Sequence, residues 1–512
     1  MSVATPSLLI VTESFEVGGL ETYIAGQVRV MTSEGWGVHL ACGSKPAAEF
    51  LPPGLSTVHP GLPLGPAATV TDLIAAVETL RAVIRDKSVT HVHAHPFTSI
   101  FPAMLAAALE EVPFIITLHG PTSLSSGYGP FNDYLLASLA LPAANAVLAV
   151  SNEVGELAAP YTGYGRLCIQ HNSVDVEYFR QAVSSAPTGA PWLAVSRLDA
   201  VKIHGIRKFI NVAHELNLGQ VDIVGDGPGR ATLEELLRQD GVDHIARFLG
   251  ARADVRSLMH SSAGVAGMGR VLLEGIACGK PICMVGYDGV KGLVDLDLFR
   301  RAAYANFSGR NLPDVSLADL VSQLERRTAN VADLTDAVLH YHSEDALWAA
   351  FAKQISAFPY SEPPSVRAIY TVLQSEEAAS TEPYLQSQDL LYRIGRVVHS
   401  TSYFSPTAVA CYSFYASRMN AVRSSIEREQ LDTGQRKLMA AMAEAENRSS
   451  KTVERLVDEL RNYETERVKQ SEALVEAINR LDMAFEGLDD RLKQEPTSFQ
   501  RVLAKARKWL VR

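Results

Sequence analysis

Two cations, Arg197 and Lys202, stand five residues apart directly after an apolar run at residues 192–195. A guanidinium is a planar fork and an ammonium is a point charge, and both bind the oxygens of a diphosphate. Ligands of open α/β sheets lie at the carboxyl ends of the strands, where this pair would stand. The pair therefore indicates a diphosphate site, although cations near strand ends are commonly only solvated.

The segment AGMGRVLLEGIACGKP, residues 266–281, has the composition of a glycine turn that opens a helix. Gly267 and Gly269 leave room for the backbone to approach a ligand, and we expect a helix to begin near Arg270. The unpaired N–H groups and the positive dipole end of such a helix attract a pyrophosphate. Glu274, about one turn further on, could accept hydrogen bonds from ribose hydroxyls. On the alternative interpretation, the two glycines are ordinary loop residues.

The elements that must position these residues follow from the alternation of apolar runs and amphipathic segments. Predicted strands at residues 7–12, 114–118 and 221–224 alternate with segments of helical periodicity, which predicts parallel sheets with right-handed crossovers. The small, proline-bearing stretch VSSAPTGAP at 183–191 interrupts the pattern and reads as a linker. The predicted fold class is α/β, with two Rossmann-like domains facing a central cleft. The first domain is expected at 1–182 and the second at 183–360.

The remainder of the chain differs in composition and predicts a C-terminal α-helical extension. We expect a helical connector at 361–425, a coiled coil at 426–495 and a basic amphipathic helix at 496–512. The coiled coil predicts a homo-oligomer or a partner helix, although a solvated single helix is the alternative. The basic helix suits the surface of an anionic membrane, or else packs on the protein or on a partner.

Composition excludes several classes of protein. The formal net charge of −10 argues against nucleic-acid binding, which usually needs a basic face. The five cysteines include no C-x-x-C pair, which is typical of reduced thiols and not of a disulfide framework or a zinc site. The apolar stretch at 135–150 is too short to span a bilayer, and no basic segment precedes the apolar residues 8–11. We therefore expect a cytoplasmic protein, peripheral at the inner face of the membrane if the basic helix binds there.

Three histidines, His91, His93 and His95, alternate along one predicted strand and so share a face. Such spacing could suggest a metal site, but no neighbouring Asp, Glu or Cys completes a set of ligands. The pattern favours packing or acceptor-cleft histidines over metal ligands.

Taken together, these motifs make the chain resemble the group-1, or family-4, retaining glycosyltransferases of the GT-B fold. The resemblance covers residues 7 to about 358, roughly two-thirds of the chain. It implies that the first domain, 1–182, is the acceptor-side domain and that the second, 183–360, is the nucleotide-sugar-binding domain. Its markers follow one another in this order: ESFEVGGLETYI, THVHAH, ITLHG, HNSVDVEYF, VSRLDAVK, IVGDGPGRATLEEL, RFLGARADV and GRVLLEGIACGKP.

The resemblance implies a role for single residues. Arg197 and Lys202 match the cations that neutralise the donor diphosphate, and Glu274 matches the glutamate that binds the nucleotide ribose. His119 matches a histidine beside the transferred sugar, so His119, Arg197 and Lys202 are the expected catalytic residues. Further donor contacts are expected from two glycine-bearing turns: Gly18, Gly19, Gly269, Arg270, Val271 and Leu272. No metal or other cofactor is implied, and the donor is expected to be a UDP-, GDP- or similar nucleotide sugar.

The expected reaction moves the sugar, with retention, to a glycan, lipid-linked or other hydroxyl acceptor, in the synthesis of cell-surface polysaccharide or glycoconjugate. One departure from the family pattern concerns this reaction, because the first glutamate of the E-x7-E motif is replaced by Ala266. Asn172-Ser173 likewise replaces the usual Asn-Gly. The alternative is a catalytically impaired nucleotide-sugar-binding scaffold assembled through its coiled coil, and a GT-B epimerase ranks third.

Overall fold

The computed structural model describes residues 5–401 except for 17, 125–126, 163–164, 182–185, 253–254, 326–330, 359, 361–364 and 377–380. The coiled coil predicted at 426–495 and the basic helix predicted at 496–512 lie outside the described residues. The end of the predicted connector, residues 402–425, also lies outside the described residues. The same holds for the predicted contacts of the coiled coil with a partner and of the basic helix with a membrane. Within the described part, no helix combines the length and the apolar composition that a bilayer span requires.

Seven parallel strands form the first sheet, in the order β3-β2-β1-β4-β5-β6-β7. Helices cover both faces, which explains why every residue of β1 is buried and why residues 8–11 within it are an apolar run. The order of strands reverses between β1 and β4, and this reversal opens a crevice at their carboxyl ends. The strands are β1 (Ser7–Thr12), β2 (Gly37–Cys42), β3 (Thr57–Pro60), β4 (His91–Ala94), β5 (Phe114–Leu118), β6 (Ala146–Ala149) and β7 (Leu167–Ile169).

Six strands form the second sheet, in the order β10-β9-β8-β11-β12-β13. The pairs are parallel except for the last, in which β13 runs antiparallel to β12. Here the order reverses between β8 and β11. The strands are β8 (Trp192–Val195), β9 (Val221–Val224), β10 (Ala246–Gly250), β11 (Gly264–Gly267), β12 (Ile282–Val285) and β13 (Val290–Leu293).

Helices connect the strands and continue beyond the second sheet. A π-helical segment, Leu136–Ala140, joins α4 to α5. The helices are α1 (Gly19–Ser33), α2 (Val70–Asp86), α3 (Ile100–Leu109), α4 (Pro130–Leu135), α5 (Leu141–Ala143), α6 (Asn152–Ala158), α7 (Val176–Arg180), α8 (Ile203–Glu215), α9 (Arg230–Asp240), α10 (Arg256–Ser261), α11 (Arg270–Ala277), α12 (Leu296–Ala303), α13 (Leu317–Glu325), α14 (Val331–His342), α15 (Glu344–Ile355), α16 (Val366–Glu376) and α17 (Gln388–Thr401).

Helix α15 returns to the first sheet after the chain has completed the second. Ser343 caps its first turn, where the hydroxyl accepts a hydrogen bond from the N–H of Ala346. Trp348 and Phe351 are almost completely buried in the apolar cluster that contains Tyr23 of α1. Helices α16 and α17 contribute buried side chains to the other apolar cluster of the first sheet. The two sheets are thus linked by the returning helix as well as by the connection from β7 to β8.

The observed architecture is the predicted one, with two Rossmann-like sheets covered by helices. Sequence periodicity missed the strands β3, β7, β11 and β13, which have three or four residues each. Such short strands show too few alternations to form a pattern, and β11 is further disguised by a glycine at each end. The antiparallel β13 also departs from the expected purely parallel sheet.

Candidate functional site

Strands β8 and β11 lie side by side at the point where the strand order of the second sheet reverses. Ala194 pairs with Ala266 in the register of the two strands. The segments that follow them, residues 196–202 and 268–270, therefore emerge at the same edge of the sheet. A reversal of this kind opens the crevice in which doubly wound sheets bind ligands. The structure thus brings together the two segments that the sequence had singled out separately.

One carboxylate, that of Asp199, organises the two cations after β8. Its Oδ2 lies 3.2 Å from Arg197 Nε and 3.2 Å from Lys202 Nζ. Burial raises the pKa of Asp199, but Lys202 and Arg197 outweigh this effect, so that the net pKa is lowered. Arg197 keeps 68% of its side chain exposed, whereas Lys202 keeps 22%. The cations are held beside each other, and Arg197 in particular remains accessible to an anionic ligand.

A glycine turn after β9 packs directly against the backbone of this cation-bearing loop. Gly225 has a φ of +132°, and an added Cβ there would stand 1.9 Å from the carbonyl oxygen of Ser196. A Cβ added to Gly227 would stand 2.5 Å from the carbonyl oxygen of Leu198. The N–H of Leu198 also donates to the carbonyl of Asp226 over 3.0 Å. The glycines are therefore required by the close approach of two backbones.

The segment after β11 turns into helix α11 through Gly269, whose φ is +62°. The N–H of Gly269 donates to the carbonyl of Phe307 over 2.8 Å, and the N–H of Leu272 returns to the carbonyl of Gly269. The side chain of Leu272 is buried among apolar residues and that of Val271 packs on Gly267. Any contact of Val271 or Leu272 with a ligand would therefore use the backbone of the first turn.

Arg270 and Glu274 face each other along α11. Arg270 Nε lies 3.6 Å from Glu274 Oε1, and Nη1 donates to the carbonyl of Ser173 over 2.5 Å. Burial raises the pKa of Glu274, Arg270 opposes the shift, and the nearby Glu344 adds to it. Only 12% of the Glu274 side chain is exposed. Arg270 is thus engaged with protein groups, and its visible role is to support the Glu274 carboxylate.

Ala266, which stands where the family pattern has its first glutamate, lies within strand β11. Its side chain is fully buried in the apolar cluster between the second sheet and helix α8, together with Ile206 and Phe209. A carboxylate at this position would be buried without a partner, which is costly. Here the matching position therefore belongs to the core of the domain.

At the facing edge of the first sheet, Gly18 and Gly19 begin helix α1 after strand β1. The backbone of Gly18 is extended, with a φ of 179°. The carboxylate of Glu21 folds back over it, since a Cβ added to Gly18 would stand 2.8 Å from Glu21 Oε2. Glu21 Oε1 also accepts a hydrogen bond from the N–H of Glu16 over 3.2 Å. This turn brings a carboxylate to the helix start as well as the expected glycines.

His119 follows β5 and is hydrogen-bonded to His95, which follows β4. The atoms His95 Nδ1 and His119 Nε2 lie 2.8 Å apart, and the N–H of His119 donates to Ser123 Oγ. Burial lowers the pKa of His119 to about 3, so the imidazole is neutral near pH 7. The pair can orient a ligand by hydrogen bonding, but His119 is a poor proton acceptor.

The alternating histidines of β4 are core residues with protein partners. His93 Nδ1 lies 2.9 Å from Gln27 Nε2, and its Nε2 lies 2.7 Å from Thr117 Oγ1. His91 Nε2 lies 2.9 Å from the carbonyl oxygen of Ile355 in α15. No group of His, Cys, Asp and Glu suited to a metal ion occurs in the described part of the chain.

Glu13 and Asp199 make supporting contacts that the sequence alone does not reveal. Glu13, directly after β1, accepts hydrogen bonds from the N–H and hydroxyl of Thr98 and from the hydroxyl of Tyr128. Glu13 therefore ties the loop after β4 to the loop that contains Tyr128. Asp199 stands within a recognisable motif, but its function of joining two cations depends on geometry that spacing does not reveal.

Two family models match this chain. The family model "Glycosyltransferase Family 4" matches residues 17–178, and "Glycosyl transferases group 1" matches residues 191–298. Together the two matches cover more than half of the chain. No curated protein gives a significant match in sequence.

Solved structures share the fold at low identity. A glycosyltransferase from Rickettsia africae ESF-5 is 14% identical, with 69% of this chain and 100% of that chain covered, at a TM-score of 0.53. The Anabaena protein Alr3699/HepE in complex with UDP and glucose is 16% identical, with coverages of 68% and 99% and a TM-score of 0.53. Its complex with UDP-glucose gives 15% identity, coverages of 69% and 99% and a TM-score of 0.53. These similarities establish the two-domain fold.

Proposed function

Because this chain belongs to the family-4, group-1 glycosyltransferases, we propose that it transfers a sugar from a nucleotide-diphosphate sugar to a hydroxyl acceptor with retention of configuration. The acceptor class that we propose is a glycan or a lipid-linked saccharide in the synthesis of cell-surface polysaccharide or glycoconjugate. The observation that carries this proposal is the joint position of Arg197, Lys202 and the start of α11 at one edge of the second sheet.

The proposed chemistry requires that negative charge on the departing diphosphate be stabilised. As the bond from the anomeric carbon to the diphosphate oxygen breaks, Arg197 and Lys202 would attract the developing charge, and the positive end of α11 would add to this effect. The acceptor oxygen forms the new bond to the anomeric carbon. Because the configuration is retained, the acceptor hydroxyl approaches the anomeric carbon from the same side as the departing diphosphate. The departing phosphate oxygen can therefore take the proton of that hydroxyl.

Glu274 is proposed to receive the ribose hydroxyls of the donor. An ionised carboxylate accepts two hydroxyl donors of a diol, as acidic residues do in dinucleotide folds. Its small exposed fraction suits a group that contacts one part of a ligand and is otherwise enclosed. The backbone N–H groups of Arg270 and Val271 are proposed to face the diphosphate, while Gly269 and Leu272, whose N–H groups donate to Phe307 and Gly269, shape the first turn of α11. Gly18 and Gly19 are proposed to approach the diphosphate from the first sheet.

His119 is proposed to contact the sugar that is transferred. Its low pKa favours a neutral hydrogen-bonding role, which agrees with an orienting function and not with general base catalysis. The bond to His95 limits the rotation of the ring. Such positioning of a reactant close to the reacting geometry contributes to rate without any proton transfer.

A uridine nucleotide is the first donor to test, because the similar Anabaena structures contain UDP, UDP and glucose, or UDP-glucose. Thermal-shift measurements with uridine, guanosine and adenosine diphosphate sugars would rank the bases. Turnover would then be measured for Arg197→Ala, Lys202→Ala and Glu274→Ala with the sugar nucleotide that stabilises the protein most. Loss of turnover in these variants supports the proposal, and unaltered activity in all three contradicts it.

Arg238→Ala is the matched control for the arginine variant. Arg238 lies on α9, is 56% exposed and pairs with Glu235 of the same helix. The substitution removes the same charge from the same domain without touching the strand edge, so activity should be unchanged. Nucleotide-sugar binding without turnover, over a panel of acceptors, would favour the scaffold interpretation.

We further propose that the protein is cytoplasmic, that residues 426–495 join it to a second copy or a partner helix, and that residues 496–512 bind an anionic membrane surface. These proposals depend on composition and periodicity alone. Deletion of residues 497–512 should release the protein from vesicles that contain anionic lipid. Retention of the truncated protein on those vesicles would contradict the membrane proposal.

A further inference from the structure

Residues 304–310, the bridging segment, follow helix α12 of the second sheet and lie against helix α6 of the first sheet. The hydroxyl of Tyr304 donates to Glu156 Oε2 over 2.6 Å. The carbonyl of Tyr304 accepts a hydrogen bond from the N–H of Glu153 over 3.0 Å. Arg310 donates to both carboxylate oxygens of Glu153, over 2.9 Å from Nε to Oε1 and also from Nη2 to Oε2. Two acids of α6 thus hold both ends of the bridging segment.

The middle of the bridging segment is fixed by further contacts. Nδ2 of Asn172, which follows β7, donates to Asn306 Oδ1 over 3.0 Å. Asn306 and Phe307 both have a φ of +54°, which is a costly backbone conformation for a bulky residue such as phenylalanine. The ring of Phe307 is buried and lies against Phe299 and His342. Such a conformation persists only where the surrounding contacts impose it.

Phe307 also contacts the turn at residues 268–270, which opens helix α11 and is called the donor turn below. The carbonyl of Phe307 accepts a hydrogen bond from the N–H of Gly269 over 2.8 Å. Because this bond fixes the peptide unit before Gly269, it orients the backbone that follows. The N–H groups of Arg270 and Val271, which are proposed to face the diphosphate, come next in the chain. The bridging segment therefore contacts α6 at its two ends and the donor turn at its middle.

We propose that Arg310 and Tyr304 are positioning residues for the donor site. Held by the two acids of α6, they fix the bridging segment, and the carbonyl of Phe307 then sets the geometry of the donor turn. This inference rests on the proposed function, because it assigns the start of α11 to the diphosphate. Neither side chain has to touch the nucleotide. Nucleotide binding by the second sheet thus depends on a helix of the first sheet.

The exposure of the ion pair separates positioning from a contribution to stability. Arg310 keeps 32% of its side chain exposed and Glu153 keeps 21%. Partly exposed ion pairs contribute little to the free energy of unfolding. The pair is nevertheless bidentate and stands beside the backbone hydrogen bond between Glu153 and Tyr304, so its geometry is well defined. Its loss should therefore weaken nucleotide binding more than it lowers the melting temperature.

The test measures the affinity of the full chain for UDP by calorimetry at pH 7.5, with GDP and ADP as the alternatives if UDP does not bind. Glu153→Ala and Arg310→Ala should each weaken UDP binding about 3- to 30-fold. The double variant should bind no more weakly than the weaker single variant, because the two residues act through one contact. If Arg310 instead touched the nucleotide itself, Arg310→Ala alone would weaken binding and Glu153→Ala would leave it unchanged. That outcome, like fully additive losses, contradicts the positioning role.

Tyr304→Phe is a milder variant that removes only the hydroxyl bound to Glu156. It should weaken UDP binding about 2- to 10-fold, and it keeps the test decisive if the alanine variants fold poorly. Arg301→Ala is the matched control for Arg310→Ala. Arg301 lies on α12, is 54% exposed and pairs with Asp297 of the same helix. The control removes the same charge close by without touching α6, so UDP affinity should stay that of the unaltered protein.

Steady-state kinetics adds a measurement that a merely structural role would not change. Because the proposed role concerns the donor turn, Glu153→Ala and Arg310→Ala should raise the KM for the sugar nucleotide more than they lower kcat. A lower melting temperature with unchanged UDP affinity and donor KM would mean that the contact only stabilises the fold, which overturns the inference.

The outcomes also separate this inference from the proposed function. UDP binding that is weakened by Arg197→Ala but is the same in Glu153→Ala, Arg310→Ala and Tyr304→Phe overturns the inference alone. Absence of binding by UDP, GDP and ADP to the unaltered protein overturns the proposed function and the inference with it.

Discussion

Lys202 Nζ lies 3.2 Å from Asp199 Oδ2, the carboxylate oxygen that also pairs with Arg197. The carboxylate that partly neutralises the two cations is therefore the group that holds them together. The glycine turn after β9 packs against the backbone of the same loop. The proposed diphosphate site thus depends on residues that do not themselves carry positive charge.

Asp199→Ala should raise the KM for the sugar nucleotide about 10-fold, because Arg197 and Lys202 lose their common anchor and must be ordered by the ligand. Steady-state kinetics with the preferred donor would measure this change. A fall in KM would instead mean that Asp199 competes with the diphosphate for the cations, which contradicts a positioning role. Asp226→Ala, which removes an exposed acid from the neighbouring turn, is a control for the loss of negative charge.

Gly225→Ala should destabilise the protein by about 1–3 kcal/mol and raise the donor KM, because a Cβ at this φ is strained and meets the carbonyl of Ser196. Gly241→Ala provides the comparison, since Gly241 has a φ of +74° but nothing within 4 Å of the added Cβ. Chemical denaturation and donor kinetics of both variants separate the backbone strain of a Cβ at positive φ from the displacement of the loop that bears Ser196. If Gly241→Ala raises the donor KM equally, the close approach after β9 has no special role.

His119→Ala should lower kcat about 10- to 100-fold with little change in UDP affinity, because the proposed contact is with the sugar and not with the nucleotide. Since the pKa of His119 is about 3, its ionisation should produce no inflection in kcat/KM between pH 5 and pH 8. A pH profile of the unaltered enzyme checks this point. An inflection near pH 6.5 that disappears in His119→Ala would show that the imidazole titrates in the working range.

Glu274→Gln should raise the melting temperature at pH 7.5 while it weakens UDP binding. The folded-state pKa of Glu274 is raised, so protonation favours the folded state, and the cost of the ionised carboxylate is fully present above that pKa. The cost is relieved as pH falls through the folded pKa towards the unfolded value. The gain in melting temperature should therefore shrink on acidification. Calorimetric scans from pH 4 to pH 8 would measure the difference, and a variant that melts lower at pH 7.5 contradicts this account.

Much of the fold was predicted from the local pattern of apolar and polar residues in the sequence. The buried strands β1, β5, β8 and β9 are mostly apolar because both faces of each sheet are covered, and their limits were predicted as observed. Short or glycine-bearing strands were missed, since three or four residues give a pattern that longer-range pairing must complete. Ala266 shows the limit most clearly, because spacing alone could not reveal that it is a buried strand residue.

The sequence by itself determined the α/β class, the two sheets and the cations and glycines of the candidate site, because residue type and spacing encode backbone form and charge. It also carried the resemblance to the family. Only the tertiary structure decided which groups support that site. The carbonyl of Ser173 that accepts from Arg270, and Glu13 that accepts from Thr98 and Tyr128, become visible only when segments far apart in the chain are packed together. Arg270 lies 97 residues beyond Ser173, and no local periodicity connects them.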